Sequence, residues 1–258
     1  MANEKRMRLE SYGNLCTQFY DISKPEPSPE AFDYYLKLCK SAGGLVLEPM
    51  CGSGRFLIPL MENGIDIEGT DASPEMLKAC RETAAKKGLK PVLYQQFLEE
   101  TALPKRYLLI FIAAGSFVLV TDIEAARTSL RKIYGHLLPA GEVVLEILTP
   151  NAVDRALGEW RGRWVTRQDG ATIIFSALDT YDATEKVSRS LHKYELFENG
   201  RLTATELEHF ATRLYEKDEF TALLKETGFM DIQSTRPYGN EPPDESDKTI
   251  VSSGQKTD

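Results

Sequence analysis

The fold of this chain is decided by Leu45-Val46-Leu47-Glu48-Pro49-Met50-Cys51-Gly52-Ser53-Gly54-Arg55-Phe56 and by a later segment, Ile67-Glu68-Gly69-Thr70-Asp71-Ala72-Ser73-Pro74-Glu75-Met76-Leu77. In each segment a short run typical of a β-strand ends in an acid, Glu48 in the first and Asp71 in the second. A Gly-x-Gly turn then opens a helical pattern, and glycine there lets the backbone approach a ligand at a helix N-terminus. This order predicts a ligand held over the carboxyl ends of a parallel sheet.

The residues around the glycine turn distinguish between nucleoside-type cofactors. Two features argue against NAD or FAD: Leu57 replaces the third glycine of Gly-x-Gly-x-x-Gly, and the Glu48 carboxylate would repel a pyrophosphate. A carboxylate at that strand tip suits a ligand with an ammonium group and no phosphate. Asp71 lies 17 residues after Gly54, at a strand end where an acid accepts hydrogen bonds from ribose hydroxyls. S-adenosylmethionine has both a ribose and a cationic amino-acid end.

These motifs resemble those of the class I S-adenosylmethionine-dependent methyltransferases of the small-molecule type. The resemblance rests on residues 48–55 and 69–77, and together with later motifs it covers residues 40–235. The later motifs are Ala113-Ala114-Gly115-Ser116-Phe117, Leu137-Leu138-Pro139-Ala140-Gly141-Glu142 and Leu223-Leu224-x-x-x-Gly228-Phe229. The resemblance implies an α/β fold with a Rossmann-like, seven-stranded, mostly parallel sheet and helices on both faces.

The resemblance also implies a cofactor site of thirteen residues. They are Glu48, Gly52, Gly54 and Arg55 at the methionine end, Asp71 at the ribose, Ala72, Met76, Gln96, Phe97 and Leu98 around the adenine, Ala113 and Ser116 beside the methyl group, and Tyr20, an aromatic residue that closes over the cofactor. Two of them have an alternative interpretation. Met76 also suits a helix core, and Arg55 also suits a solvated helix face.

The chain departs from the family pattern at two positions. Phe97 stands where many members have an Asp, which removes the usual acceptor for the adenine amino group. Stacking on Phe97 or a hydrogen bond from Gln96 would replace that contact. Leu108 stands where many members have an Asp after an aromatic residue, and this position concerns packing more than chemistry.

No catalytic base is assigned from the sequence. Of the three histidines, we expect His136 to face away from the site, whereas His192 and His209 either face a substrate or serve only packing. An amine acceptor needs only to arrive unprotonated, whereas a hydroxyl usually needs a base, so the acceptor atom stays open. Candidate substrate walls, with packing as the alternative, are Tyr12, Trp160 and Trp164.

Composition limits the classes of function. The 258-residue chain has a net charge of -8 and no long basic run, which argues against a nucleic-acid partner. The four cysteines have neither C-x-x-C nor zinc-site spacing, so we expect reduced thiols and no metal. Because the sequence shows no signal core and no stretch of membrane-spanning length, we expect a cytoplasmic protein without a membrane partner.

Hydrophobic periodicity predicts an insertion in the α/β core. Its strand-like segments alternate with the good hairpin turns Asp169-Gly170 and Asn199-Gly200. We therefore expect an antiparallel β meander. It resembles the inserted lids or dimer-forming sheets of small-molecule and sugar N-methyltransferases, and this resemblance implies a lid, a substrate element or a dimer contact, with a homodimer as one alternative. The predicted parts are an N-terminal helical cap over residues 1–40, the cofactor-binding core over 41–150, the insertion over 151–214 and a C-terminal completion of the core over 215–258.

The sequence therefore predicts an enzyme that transfers a methyl group from S-adenosylmethionine to a nitrogen or oxygen atom of a small molecule. The meander and the acidic charge favour a small molecule over protein or RNA. Two other classes stay open. One is an NAD-dependent or nucleotide-sugar oxidoreductase, against which Leu57 and Glu48 argue. The other is a non-catalytic cofactor-binding module, for which Phe97 and Leu108 leave room.

Overall fold

The computed structural model describes residues 11–153 and 156–257, which form a large sheet covered by helices and a smaller antiparallel sheet. Within these residues the helices are α1 Asn14–Ser23, α2 Pro29–Ala42, α3 Leu57–Glu62, α4 Pro74–Lys86, α5 Ile123–His136 and α6 Lys217–Thr227. The strands are β1 Val46–Pro49, β2 Ile67–Asp71, β3 Val92–Gln95, β4 Tyr107–Ile112, β5 Leu137–Leu148, β6 Trp160–Thr166, β7 Thr172–Asp182, β8 Val187–Glu198, β9 Arg201–Arg213, β10 Met230–Thr235 and β11 Thr249–Gln255. Residues 1–10 of the predicted cap and 154–155 of the predicted insertion lie outside the described residues. Among the helices described, none is long and apolar enough to cross a membrane.

The large sheet has the strand order β10-β11-β5-β4-β1-β2-β3. Strands β1 to β5 pair in parallel, whereas β11 runs antiparallel to both β5 and β10. Helices α3, α4 and α5 connect the neighbouring pairs β1–β2, β2–β3 and β4–β5, since parallel neighbours require a crossover. The predicted Rossmann-like, seven-stranded, mostly parallel fold is confirmed.

The central strands of this sheet are buried on both faces. The apolar runs Leu109-Ile110-Phe111-Ile112 and Val143-Val144-Leu145 are shielded from solvent, as expected for strands covered on both sides. Helices α2, α3 and α4 cover one face with side chains such as Tyr35, and α5 and α6 cover the other with side chains such as Leu130. Because β1, β2 and β4 run in the same direction, their carboxyl ends meet at one edge of the sheet.

The insertion forms the second sheet, in the antiparallel order β6-β7-β8-β9. Both predicted hairpin turns are present, with φ values of +85° at Gly170, +51° at Asn199 and +73° at Gly200. The turn between β7 and β8 has no glycine signal in the sequence. There the Asp182 Oδ1 atom accepts hydrogen bonds from the backbone N–H groups two and three residues later, at 2.9 and 3.0 Å. An Asx-type turn therefore connects β7 and β8 without a glycine.

The two N-terminal helices pack on different sheets. Leu15 and Phe19 on the apolar face of α1 pack against Ile173 and Tyr194 of the insertion. Helix α2 packs on the large sheet. Helix α1 therefore joins the insertion sheet to the edge of the core where the parallel strands end.

Candidate active site

The glycine turn follows β1 at the carboxyl edge of the large sheet. Met50, Gly52 and Gly54 have φ values of +57°, +55° and +85°, so the chain turns sharply there. Gly52 lines a large cavity at this edge. Gly54 does not line it, because a Cβ atom at Gly54 would lie 2.6 Å from the Sγ atom of Cys80 in α4. The structure therefore places Gly54 in close packing behind the turn.

Asp71 at the end of β2 holds the glycine turn in position. Its Oδ2 atom accepts a hydrogen bond from Gly52 N at 2.8 Å, and its Oδ1 atom accepts one from Ser73 N at 2.8 Å. Burial raises the pKa of this carboxyl, although the hydrogen bonds from the backbone oppose the rise. Each carboxylate oxygen keeps a second lone pair, so Asp71 also has the capacity to accept hydrogen bonds from ribose hydroxyls.

Glu48 and Arg55 place a carboxyl and a guanidinium group beside the cavity, and each has an atom without a hydrogen-bond partner among the described residues. Glu48 is 4% exposed, and its Oε2 atom has no hydrogen-bond partner among the described residues. The buried Nε atom of Arg55 also has no hydrogen-bond partner among the described residues. Its guanidinium lies 5.5 Å from the centroid of the Tyr20 ring. Burial raises the pKa of Glu48 to about 8, although the Arg55 charge opposes the rise. This pair fits the ammonium and carboxylate groups of an amino-acid ligand.

The cavity has a volume of about 390 Å³ and lies at the carboxyl edge of β1, β2 and β4. Its volume falls within the range of roughly 300–1,000 Å³ that is common for small-ligand pockets. Twelve of the thirteen residues predicted for the cofactor site line it: Tyr20, Glu48, Gly52, Arg55, Asp71, Ala72, Met76, Gln96, Phe97, Leu98, Ala113 and Ser116. The structure brings these side chains together, and their individual contacts to a cofactor stay predictions.

Gln96 and Phe97 are the two candidates for contact with an adenine base, by a hydrogen bond or by stacking, and the structure places them differently. The Gln96 side chain is engaged by the backbone of Ala102, from whose N–H it accepts at 2.8 Å and to whose carbonyl it donates at 3.2 Å. Gln96 thus holds the loop after β3 in place. Phe97 lines the cavity with Met76, so the structure favours stacking and apolar contact for the base.

Fourteen further residues line the cavity without having been assigned to the cofactor from the sequence. They are Ser11, Tyr12, Met50, Cys51, Phe56, Glu99, Ala114, Leu119, Val120, Thr121, Asp122, Ala125, His209 and Ala211. The residues around the start of α5 have a signal in the sequence, because Asp122 is a helix-capping residue. Its Oδ1 atom accepts a hydrogen bond from Ala125 N at 2.8 Å and caps α5. A capped helix that begins after a strand end at this edge points toward the site. No comparable signal marks His209 and Ala211.

A buried acid supports the turn of small residues that follows β4. Glu146 of β5 accepts hydrogen bonds from the hydroxyl groups of Tyr35 at 2.6 Å and Tyr238 at 3.3 Å. Burial raises the pKa of Glu146, whereas these bonds and one from the backbone of Ala114 oppose the rise. Ala114 itself has a φ value of +56°. The network therefore holds a strained turn that lines the cavity.

Helix α1 forms one wall of the cavity, and distant residues hold it there. Glu206 of β9 accepts hydrogen bonds from two backbone N–H groups in the first turn of α1 at 2.9 and 3.0 Å, and Glu208 accepts one from the residue before the helix at 2.6 Å. Carboxylates at a helix N-terminus satisfy open donors and complement the helix dipole. On the core side, the Ser73 hydroxyl donates to the carbonyl of Tyr12 at 2.7 Å. The insertion thus places Tyr20 against the cavity.

A second cavity of about 220 Å³ shares Tyr12 and Tyr20 with the first. It lies between α1 and the inner face of the insertion sheet. Its other lining residues are Cys16, Phe19, Ser23, Lys24, Arg163, Phe175, His192, Tyr194 and Phe210. The two cavities therefore meet at the pair of tyrosines.

The three histidines occupy different environments. The ring of His136 accepts a hydrogen bond from the backbone of Leu103 at 2.9 Å and lines neither cavity. His192 lines the second cavity, where burial and, to a smaller extent, the charge of Arg163 lower its pKa to about 4. His209 lines the large cavity. Of the three, His209 is therefore the one placed to face an acceptor in the large cavity.

The two tryptophans do not form substrate walls. Trp160 and Trp164 are 53% and 71% exposed, and they line neither cavity. Because side chains alternate along a strand, Arg163 points inward over the ring of Phe19 while both tryptophans point outward. Period-two alternation of β6 is thus the physical reason why this interpretation of the tryptophans was wrong, whereas Tyr12 lines both cavities.

Comparison with known proteins identifies the domain. Residues 46–141 match the family model of a methyltransferase domain. A ubiquinone biosynthesis O-methyltransferase from Xanthomonas axonopodis pv. citri (strain 306) is 23% identical over 177 residues, which cover 64% of this chain and 71% of that protein.

Solved structures share the fold. A S-adenosylmethionine-dependent methyltransferase from Clostridium acetobutylicum ATCC 824 superposes with a TM-score of 0.77 at 16% identity, covering 93% of this chain and 96% of that one. The sugar N-methyltransferase KedS8 from Streptoalloteichus sp ATCC 53650 gives a TM-score of 0.77 at 16% identity, covering 100% of this chain and 99% of that one. At sequence identities this low, the similarity to these two structures shows a shared fold only.

The residues of the large cavity fit the cofactor that the motifs imply. The open atoms of Glu48 and Arg55 suit the charged amino-acid end, Asp71 suits the ribose, and Phe97 suits the base. A pyrophosphate would instead meet the buried carboxyl of Glu48, which argues against NAD and nucleotide sugars as ligands. Residues 46–141 therefore form a methyltransferase domain, and the chain is similar in fold to S-adenosylmethionine-dependent methyltransferases.

Proposed function

We propose that this enzyme transfers the methyl group of S-adenosylmethionine to a nitrogen or oxygen atom of a small molecule. The observation that carries the proposal is the second cavity of about 220 Å³, which meets the cofactor cavity at Tyr12 and Tyr20 between α1 and the insertion sheet. A space of this size suits a small molecule better than an RNA strand or a folded protein surface. The net charge of -8 also disfavours a nucleic acid.

S-adenosylmethionine supplies an electrophilic methyl group when it is bound, so the chain mainly binds, orients and excludes water. Glu48 and Arg55 would hold the two charged groups of its amino-acid end, and Asp71 would hold its ribose. Ala113 leaves room beside the reacting atoms because its side chain is small. Tyr20 would keep water out of the same region.

A nitrogen acceptor is the simpler of the two alternatives. An amine needs only to arrive unprotonated, whereas a hydroxyl usually needs a base. With a pKa of about 4, His192 is too weak a base to take a proton from a hydroxyl near neutral pH. The observation that favours an oxygen acceptor is His209, which lines the large cavity and is a candidate base.

Two measurements test the proposal. Calorimetry should show that the folded protein binds S-adenosylhomocysteine, and transfer of a labelled methyl group should be detected on small amines or small hydroxyl compounds. His209→Gln separates the acceptors: methyl transfer to an amine should be unchanged, whereas transfer to a hydroxyl should fall by about 10²–10⁴ if His209 is the base. A folded enzyme that methylates only RNA or protein would contradict the proposal.

A homodimer through the outer face of the insertion sheet stays a prediction, as does a cytoplasmic location. The insertion sheet carries large apolar side chains that are more than half exposed, namely Trp160 at 53%, Trp164 at 71%, Leu202 at 51% and Leu207 at 62%. Apolar surface of this kind often marks an interface. A second copy of the chain would bury it by symmetric contact.

A further inference from the structure

Two cations line the second cavity, and neither has an acidic partner among the residues that the structure describes. The guanidinium of Arg163 forms no ion pair within the described part of the chain and instead lies 5.2 Å from the ring centroid of Phe19 and 5.6 Å from that of Phe175. The ammonium of Lys24 also forms no ion pair with the residues described and lies 5.5 Å from the ring centroid of Tyr20. Both long side chains are exposed, so they stand where the cavity opens to solvent.

Three cations lie over aromatic rings in this region. Arg55 approaches the same Tyr20 ring, 5.5 Å from its centroid, so the rings near the cavity carry three cations. Although Lys24 reaches solvent, the surrounding protein and then the charges of Arg55 and Arg163 lower the pKa of its ammonium. In a chain whose net charge is -8, this concentration of positive charge favours a bound anion.

The cofactor does not account for these two cations. Arg55 lines the large cavity, where its partner under the proposed function is the carboxylate of S-adenosylmethionine. Arg163 and Lys24 line only the second cavity. They therefore stay available for a second anion when the cofactor is bound.

The other walls of the second cavity are mostly aromatic. The rings are those of Tyr12, Phe19, Tyr20, Phe175, His192, Tyr194 and Phe210. His192 stacks on Phe210 with ring centroids 4.7 Å apart and an interplanar angle of 17°, so this part of the cavity wall consists of two nearly parallel rings. An apolar cavity of about 150 Å³ accommodates benzene. The 220 Å³ present here therefore has room for one aromatic ring and its substituent.

We propose that the methyl acceptor is a flat, aromatic acid whose oxyanion, a carboxylate or a phosphate ester, binds Arg163 and Lys24 in the second cavity. This inference rests on the proposed function and assigns its substrate class. The nucleophilic atom lies at the other end of the acceptor, which passes between Tyr12 and Tyr20 into the large cavity. The planar fork of Arg163 suits two parallel hydrogen bonds to an oxyanion, and Lys24 adds a point charge.

Binding of simple probes tests the site. Benzoate and phenyl phosphate are titrated into the protein by calorimetry or ligand-observed NMR, with benzamide as the neutral probe of similar shape, in the presence and in the absence of S-adenosylhomocysteine. We expect at least one anion to bind about tenfold or more tightly than benzamide. The tighter of the two anions distinguishes a carboxylate from a phosphate ester.

Matched variants locate the site. Arg163→Gln and Lys24→Gln should each weaken the anion by about tenfold and leave benzamide unchanged, because a charge-assisted hydrogen bond is lost. Arg201→Gln alters an exposed arginine at the β8–β9 hairpin of the same sheet and should leave every probe unchanged. Binding of S-adenosylhomocysteine should be the same in all three variants.

The outcomes separate this inference from the proposed function. Equal affinity for benzamide and both anions, or no binding of any probe, overturns the oxyanion site. Arg163→Gln provides a second test. If this variant loses as much affinity for S-adenosylhomocysteine as for the anion, the substitution has disturbed the structure and the oxyanion site is overturned. If the anions bind as expected but the wild type fails to bind S-adenosylhomocysteine, the proposed function fails while the oxyanion site stands.

Discussion

Ionisation of Glu48 should make the binding of S-adenosylhomocysteine depend on pH. In the protein without ligand, burial raises the pKa of this carboxyl to about 8. The ammonium of the ligand's amino-acid end favours the ionised carboxylate, so binding releases a proton from Glu48 at any pH below that pKa. The affinity should therefore be low in acid and should rise as the pH approaches about 8.

The size of the effect follows from the fraction of Glu48 that is ionised. With a pKa of about 8, roughly 1% of the molecules carry an ionised Glu48 at about pH 6, and about half do at about pH 8. The affinity should rise about 50-fold over this range, which corresponds to about 2.3 kcal/mol. The α-amino group of the ligand titrates near the upper end of this pH range. The change of affinity with pH below about pH 7.5 therefore reports the ionisation of Glu48.

Calorimetry in buffers of different ionisation enthalpy measures both the affinity and the released proton. Glu48→Gln should bind S-adenosylhomocysteine more weakly near pH 8 and without the pH dependence, because the amide does not titrate. Methylthioadenosine lacks the amino-acid end, so its affinity for the wild type should not follow the Glu48 titration. A wild-type affinity that does not change with pH, or the same slope in Glu48→Gln, refutes the reasoning.

Four further outcomes are expected. Asp71→Asn should weaken the binding of both S-adenosylhomocysteine and methylthioadenosine by about tenfold or more in calorimetry, because an amide N–H would face a backbone N–H of the glycine turn. Weaker binding of S-adenosylhomocysteine alone would contradict this expectation. Glu206→Gln should lower the free energy of unfolding, measured with urea, by about 1–2 kcal/mol, since α1 loses a charge at its N-terminus. The control Glu195→Gln on the same sheet loses only a partly exposed ion pair with Lys193 and should cost less, about 0–1 kcal/mol. Gly54→Ala should lower the free energy of unfolding by about 1–3 kcal/mol, and an unchanged thermal midpoint would show that the packing against α4 relaxes without cost. Trp164→Glu should convert a dimer to monomers in sedimentation, whereas a wild type that already sediments as a monomer removes the dimer prediction.

The large sheet was predictable because its signals are local. Strands such as Val143-Val144-Leu145 are continuous apolar runs, and such runs are typical of a parallel sheet that is buried on both faces. The acids Glu48 and Asp71 end adjacent parallel strands, so their proximity followed from the chain order alone. Gly54 is less clear from its local pattern, because Gly-x-Gly does not distinguish a glycine that lines the cavity from one that packs against the helix behind the turn.

The supports of the site could not be predicted, because they join residues that are far apart in the chain. Glu206 meets the first turn of α1 across a separation of 191 residues, and Tyr35 meets Glu146 across 111. Side chains such as these look like ordinary polar surface in a sequence. Only the packing of one element on another shows that they are buried and paired.

The sequence by itself determined the fold of the core and the identity of the methyl donor, because strand periodicity and a compact set of motifs carry both. The tertiary structure decided the shape of the space beyond the donor. Which of two alternating side chains on β6 points inward depends on which face of the insertion sheet α1 covers, and no local pattern records that choice. Arg163 therefore lies beside the second cavity and Trp164 in solvent, although the two residues are neighbours in the chain.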